Sequence, residues 1–327
     1  MRDGHGRIAK DLRVSLTDRC NLRCTYCMPA EGPGWLPSPT ILSDDEVIAL
    51  VKIVVERTGV TEVRFTGGEP LLRPGLERIV AATAALQPRP RISVTSNGIG
   101  LKQRALALKA AGLDRINISL DTLDDDTFRQ LTHRDRLADV LEGIEAAQSA
   151  GLAPVKLNAV LMRGVNDHEA AKLLHFAIGQ DLALRFIEQM PLDPMGAWNR
   201  AEMITAEETL TALSDHWVLT PAQGSRGAEP AETWLIDGGP STVGIIASVT
   251  RPFCRTCDRV RLTADGQVRS CLFGRDDADL RGALRNGASD DELEALIRGA
   301  MARKGPGHGI NNIDFRPPDR PMSAIGG

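Results

Sequence analysis

From Lys10 to about Glu188 the chain alternates short β-rich runs with amphipathic helical ones, and this alternation limits the fold more than any other feature. Strands are expected at Leu12–Thr17, Glu62–Thr66, Ile92–Ser96, Arg115–Leu120, Val155–Leu161 and Ala183–Ile187. Most are rich in Val, Ile, Leu and Phe, as strands buried on both faces should be. Between them lie helical patterns at 47–55, 75–85, 102–111, 137–150, 168–178 and 206–215. Ser43-Asp44-Asp45-Glu46 is a capping box opening the first, and Gly59 ends it. Repeated βα units with parallel strands give a doubly wound sheet or a barrel. Six units are too few for a full eightfold barrel. The expected fold class is therefore α/β, an incomplete (βα)6 TIM-like barrel over residues 1–220, open on one side. Ligands of such folds sit at the C-terminal ends of the strands.

Residues 221–327 read differently. Gln223–Ala231 is a Gly, Ala, Glu and Pro linker or loop. Short strands follow at 233–236 and 243–247. Two more, 258–263 and 267–270, flank the hairpin signal Asp265-Gly266. Helices are expected at 278–286 and 290–302. This is a C-terminal α/β region. From Arg303 onward the chain is rich in Pro and Gly, the composition of a disordered tail.

Six cysteines fall into two trios, and they are every cysteine in the chain. Cys20, Cys24 and Cys27 are spaced C-x3-C-x2-C, and Cys254, Cys257 and Cys271 are spaced C-x2-C-x13-C. Three thiolates can hold three irons of a [4Fe–4S] cluster and leave the fourth open to another ligand. Disulfides belong to short secreted chains, whereas this one has 327 residues and a polar start, Met1 to Asp11, with no apolar signal segment. Zinc usually takes four ligands, and neither trio has a histidine nearby in sequence. Two clusters, each with an open iron, fit better, and the expected location is cytoplasmic. The first trio follows the end of the first strand, where a ligand site belongs.

Charge and composition exclude other classes. Net charge is −4, and aromatic residues are 4% of the chain. Neither broad electrostatic binding to nucleic acid nor a base-stacking platform is expected. No run reaches the ~18 apolar residues of a membrane span.

One βα unit after the first trio comes Thr66-Gly67-Gly68-Glu69-Pro70. Alone it would be a tight turn; two glycines also let a ligand approach the backbone. Thr95, Ser96 and Asn97 end the third strand and Ser119 the fourth, positions equally suited to helix caps. Met190 follows the sixth, where a lone Met more often fills core. Arg13, Arg64, Lys156 and Arg185 lie inside strands that should be buried. A buried cation is costly unless paired. One could be a core ion pair; four converging in one open barrel point to a polyanionic substrate, because Arg and Lys suit phosphate. Arg259 and Arg261 alternate on one strand directly after Cys254 and Cys257, so they face the same side.

The cysteine run with Gly67–Pro70 resembles the radical S-adenosylmethionine enzymes. Asp11-Leu12-Arg13-Val14-Ser15-Leu16-Thr17-Asp18-Arg19-Cys20, the second trio and the ending Ala324-Ile325-Gly326-Gly327 are similar to the GTP 3′,8-cyclases of molybdenum cofactor biosynthesis (MoaA type). The similarity runs from about residue 8 to the terminus, with no departure at a motif position. It implies a lyase with two [4Fe–4S] clusters and S-adenosylmethionine. The product is (8S)-3′,8-cyclo-7,8-dihydroguanosine 5′-triphosphate, formed when a deoxyadenosyl radical takes hydrogen from C3′ of GTP and the C3′ radical attacks C8. By the same resemblance Tyr26, Gly68, Ser119 and Met190 contact S-adenosylmethionine. Arg13, Arg64, Thr95 and Lys156 contact GTP, joined by Arg259 and Arg261 from the second-cluster side; Arg185 joins them as a strand cation. Gly326 and Gly327 reach the active site beside Arg259 and Arg261, as catalytic elements. A ubiquitin-like use of the Gly-Gly ending is set against the length of the chain. Implied partners are an electron donor such as flavodoxin or ferredoxin and a downstream cyclic pyranopterin monophosphate synthase, with the chain a monomer or homodimer. A peptide-maturing radical enzyme usually carries more C-terminal cysteines and needs no triphosphate pocket. A non-enzymatic Fe–S carrier leaves Gly67–Pro70 and the strand cations unexplained.

Overall fold

One continuous sheet of twelve strands organises the chain. The computed structural model describes all residues except Pro33, Pro194, Ser225, Asp276 and Gly327. The parallel strands β1 (Asp11–Ser15), β2 (Glu62–Thr66), β3 (Arg91–Ser96), β4 (Arg115–Ser119), β5 (Lys156–Val160) and β6 (Ala183–Ile187) pair in chain order. They alternate with α1 (Asp44–Thr58), α2 (Leu76–Ala84), α3 (Leu101–Ala110), α4 (Asp125–Thr132), α5 (Leu137–Ser149), α6 (Ala170–Gly179) and α7 (Ala206–Ser214). All six expected strands and the expected helices form within a few residues of their anticipated ends. The Ser43 capping box is present, with Ser43 accepting from the Glu46 N–H and Glu46 from the Ser43 N–H. Helix α4 was not expected. It is short and acidic at its start, but Asp124 caps it by accepting from the Thr127 N–H, and Phe128 and Leu131 supply its buried face.

The later strands are β7 (Leu219–Pro221), β8 (Glu232–Ile236), β9 (Thr242–Ile246), β10 (Arg259–Leu262), β11 (Gln267–Arg269) and β12 (Ala278–Asp279), with α8 (Leu280–Arg285), α9 (Asp290–Ala302) and α10 (Met322–Ile325). They extend both edges of the same sheet. β10 lies parallel to β1, and β9 lies parallel to β6. Antiparallel β11 and β12 finish one edge, and β8 and β7 the other. Eight parallel strands therefore stand side by side, yet the sheet ends at β12 and β7 and does not close. The helix expected from 278 begins later, because Ala278 and Asp279 pair with β11 and Asp279 caps α8 at Gly282. No helix among the described residues is long and apolar enough to cross a membrane.

Strand alternation sorts the side chains. Leu12, Val14, Val63, Phe65, Ile92, Val94, Ile116 and Ile118 face the helices and are fully buried. Each such burial is worth roughly 1.5–3 kcal/mol. The opposite face carries Arg13, Arg64, Thr95, Ser119, Asn158 and Arg185, and these line a cavity. In a closed eightfold barrel that space would hold branched apolar side chains.

Candidate active site

One cavity runs along the inner face of the sheet from the C-terminal strand ends, where the first trio follows β1, to the N-terminal end of β10, which Cys254 and Cys257 precede, and five arginines, Arg13, Arg64, Arg185, Arg259 and Arg261, share its lining with both trios. Tyr26, Gly68, Thr95, Ser119 and Met190 line it too. Lys156 sits two residues N-terminal of the lining residue Asn158 on the same face, one step deeper in the sheet. Gly326 is not in the lining, but its carbonyl accepts a hydrogen bond from the lining residue Arg261. Gly327 lies outside the described residues.

The loop after β1 carries the first trio and is pinned from three sides. Backbone N–H groups of Arg23 and Thr25 donate to the carbonyls of Thr132 and Leu131, at the end of α4, at 2.9 Å each. The Gly68 and Glu69 N–H groups donate to the Thr17 and Arg19 carbonyls at 2.6 and 2.7 Å. A Cβ on Gly68 would stand 2.2 Å from the Arg19 oxygen, so the close approach of the two loops requires glycine there. Asn97 reaches over from the end of β3, its amide donating to Asn21 Oδ1 at 2.7 Å. Behind it, Glu69 is buried and accepts from Leu71 N–H, Ser96 Oγ–H and Asn97 N–H at 2.7–2.8 Å. Burial nonetheless pushes its carboxyl up to about 7. The Tyr26 hydroxyl donates to Asp121 Oδ2 at 2.7 Å, and burial raises Asp121 to about 6.

The two trios differ in electrostatics. Burial pushes the Cys20 thiol up to about 11 and Cys27 to about 12, and burial with the Asp121 charge raises Cys24 well above its ordinary value. In the second trio burial also raises Cys254, whereas at Cys257 the charges of Arg259 and Lys304 outweigh burial and hold the thiol below its ordinary value. All six cysteines are free and half-buried. Among the described residues no three Cys, His, Asp or Glu side chains converge closely enough to hold a single metal ion. Three free thiols from each trio in the lining of one cavity match three irons of a [4Fe–4S] cluster with the fourth left open. The donor sets therefore fit two clusters.

The cations are crowded and short of anions. Arg13 faces Arg64 on one side and Arg261 on the other in the strand register. Burial, and then the neighbouring Arg64 and Arg13 charges respectively, pull Arg13 and Arg261 down to about 9. Burial lowers Arg64 and Arg185 as well, and with Arg185 it takes Lys156 to about 8. Asp11 is the buried carboxylate among them, 3.6 Å from Arg13 and 3.9 Å from Arg259. The Nε of Arg64 and the side-chain oxygens of Asn117 and Asn158 have no hydrogen-bond partner among the described residues. The unpaired guanidinium donors suit a bound polyanion, whereas the two amide oxygens are acceptors and call for a donor group on a ligand.

Several participants escaped the sequence reading. Asp121 follows the expected strand Arg115–Leu120 directly, and Asn158 stands two residues from Lys156 on one strand face; the two-residue period could have flagged Asn158. No local signal marks Glu229 or Ala228. They lie on the loop read as a linker, where the Ala228 carbonyl accepts from Arg259 at 2.9 Å and the Glu229 charge favours the charged form of Arg185. Within the described residues the tail packs against the body of the protein. Arg320 pairs with Asp265 at 2.9 Å, Ile325 is buried, and the Ser323 backbone hydrogen-bonds Cys27.

A half-open parallel barrel with a three-thiol loop after its first strand defines a radical S-adenosylmethionine fold. The radical SAM superfamily profile matches residues 14–177, and Molybdenum Cofactor Synthesis C matches residues 182–310. The chain is 62% identical over 327 residues to the GTP 3′,8-cyclase of Streptomyces coelicolor, covering 99% of this chain and 96% of that protein. It is 56% identical over 334 residues to that of Corynebacterium glutamicum, covering 99% and 89%. Its fold is similar to the crystal structure of Streptococcus suis SuiB, with a TM-score of 0.62 and 12% identity, covering 94% of this chain and 68% of that one. The chain belongs to the radical SAM superfamily and, within it, to the GTP 3′,8-cyclase family.

Proposed function

We propose that this chain converts GTP into (8S)-3′,8-cyclo-7,8-dihydroguanosine 5′-triphosphate, the first step of molybdenum cofactor biosynthesis. The observation that carries this reading is the single cavity with a cysteine trio in each of two wall segments and five arginines in the same lining. When bound, the two [4Fe–4S] clusters and S-adenosylmethionine would supply the one-electron chemistry.

Cys20, Cys24 and Cys27 would hold the first cluster, and Cys254, Cys257 and Cys271 the second. Tyr26, Gly68, Ser119 and Met190 would hold S-adenosylmethionine near the first trio. Arg13, Arg64, Lys156 and Arg185 would take the triphosphate, with Thr95 beside them. Each charged contact contributes on the order of 1.5–3 kcal/mol, and the anion also relieves the repulsion among the guanidiniums. Arg259 lies 3.7 Å from Cys257 Sγ, so it reaches both the second trio and the phosphate region. Arg261 is oriented by the Gly326 carbonyl. Fixing GTP at both ends brings its ribose and guanine into reacting contact. The buried Ser323 and Ile325 of the tail help keep water from the site.

We assign residues 1–220 to the radical SAM part and 221–327 to the second-cluster part, which share one sheet. An external donor such as flavodoxin or ferredoxin, transfer of product to a cyclic pyranopterin monophosphate synthase, and action as a monomer or homodimer in the cytoplasm complete the proposal. The test is anaerobic incubation of reconstituted protein with dithionite, S-adenosylmethionine and GTP. Cyclised GTP and 5′-deoxyadenosine should form together. Deoxyadenosine without cyclised GTP, at saturating GTP, would reject GTP as the substrate.

A further inference from the structure

The segment after α9 returns to the second trio. Lys304 is only 4% exposed. Its ammonium donates to the Arg259 carbonyl at 2.7 Å, the Cys257 carbonyl at 3.2 Å and the Cys257 Sγ at 3.5 Å. All three of its donors are therefore used, on two neutral oxygens and one thiol. A buried ammonium with no carboxylate among these partners is balanced only when that sulfur carries negative charge. The segment is held in place from the N-terminus. Arg7 donates to the carbonyls of Cys254 at 2.7 Å, Gly305 at 2.6 Å and Pro306 at 3.1 Å. The Cα of Gly307 closes the other side, where a Cβ would stand 3.3 Å from that of Cys254.

The first trio is different. The described side-chain donor to its Cys20 sulfur is the neutral Asn97 amide, at 3.9 Å. Its charged neighbours are the carboxyl groups of Glu69 and Asp121 together with the Arg23 guanidinium, which is not a described donor to a sulfur of this trio.

We propose that Lys304 belongs to the second-cluster site, where its ammonium holds the Cys257 thiolate and raises the reduction potential of the cluster bound there. The assignment rests on the reading of the second trio as a cluster site. Reduction adds one negative charge to a cluster, and hydrogen bonds and charge at its sulfurs are established levers on its potential. A cation in contact with a ligand sulfur stabilises the reduced form.

The test uses the reconstituted holoenzyme and its Lys304→Met and Lys304→Arg variants. Iron content is measured first, and the two clusters are then titrated potentiometrically by electron paramagnetic resonance. The first cluster is recognised by its response to S-adenosylmethionine. Lys304→Met should lower the second midpoint potential and leave the first unchanged, while Lys304→Arg keeps both near wild type. Loss of the second cluster in Lys304→Met alone would support the same charge role. An unshifted second potential in Lys304→Met at full iron content would overturn the proposal. So would equal effects of Met and Arg, or equal shifts in both clusters, which describe a purely structural lysine. Wild-type protein that binds only one cluster would instead reject the second-cluster reading, whatever Lys304 does.

Discussion

Replacing Arg64 by Met should weaken GTP binding while leaving the ligand-free fold no less stable. Arg64 stands in mid-sheet between Arg13 and Ser93. Burial disfavours its charge, Arg115, Arg185 and Arg259 add repulsion, and Asp11 offsets part of it. Its Nε has no hydrogen-bond partner among the described residues. Methionine keeps an unbranched apolar stem and removes the charge. In the empty protein this deletes an unfavourable buried cation, so the unfolding temperature should hold or rise. In the complex it deletes a charged contact worth on the order of 1.5–3 kcal/mol, a loss of roughly 12- to 160-fold in Kd. Guanosine carries no phosphate and should bind almost as before. The assay is anaerobic equilibrium binding of GTP and guanosine to wild type and Arg64→Met, with thermal unfolding of each. Equal losses for both ligands, or a lower unfolding temperature with GTP binding intact, would assign Arg64 to structure and refute the reasoning.

Anaerobic reconstitution should give about eight iron and eight sulfide per chain; zinc at the second trio of fully active protein would end the two-cluster assignment. Cys24→Ala should abolish S-adenosylmethionine cleavage, whereas Cys271→Ala should still release deoxyadenosine while cyclisation fails. Gly326 has φ of 84°, and a Cβ there would stand 2.9 Å from that of Ser15. Gly326→Val, or deletion of Gly326 and Gly327, should therefore spare both clusters and GTP binding but reduce cyclised product; wild-type yields would remove the tail from the mechanism. Lys156 is held down at about 8 against 10.5 for a free lysine, so its charge penalises the empty fold fully below about pH 8, and the penalty fades as pH rises toward 10.5. Relative to Lys156→Met, wild type should gain stability across that interval and lose GTP affinity; parallel profiles for the two proteins would contradict this.

Much of the site was legible because its signals are local. C-x3-C-x2-C lies within eight residues, Gly67–Pro70 is contiguous, and both fall directly after strands whose apolar runs identify them. The strand cations could be read for the same reason: a charge inside an apolar run is conspicuous, and the two-residue period tells which face it takes. Helix α4 was missed because it is only eight residues long and mostly polar, so Phe128 and Leu131 alone mark its buried face and the window is too short for a period to be read. Composition alone suggested a disordered tail, and only the family resemblance placed its end at the active site. Its order comes from Arg320 on Asp265 and from the Gly326 carbonyl on Arg261, contacts that span 55 and 65 residues.

The sequence by itself determined the order of strands and helices, the identity of the thiols and the excess of buried cations, since each depends on spacing within one element or one loop. Tertiary structure alone decided that residues beyond 221 build no separate sheet but pair β10 with β1 and β9 with β6. That pairing brings Cys254 and Cys257 opposite the first trio and sets Arg261 beside Arg13. It also brings Lys304 against Cys257, 47 residues earlier. Hydrogen-bonded edges can be satisfied by any strand of suitable shape, so partner choice is settled only when the whole apolar face is covered at once.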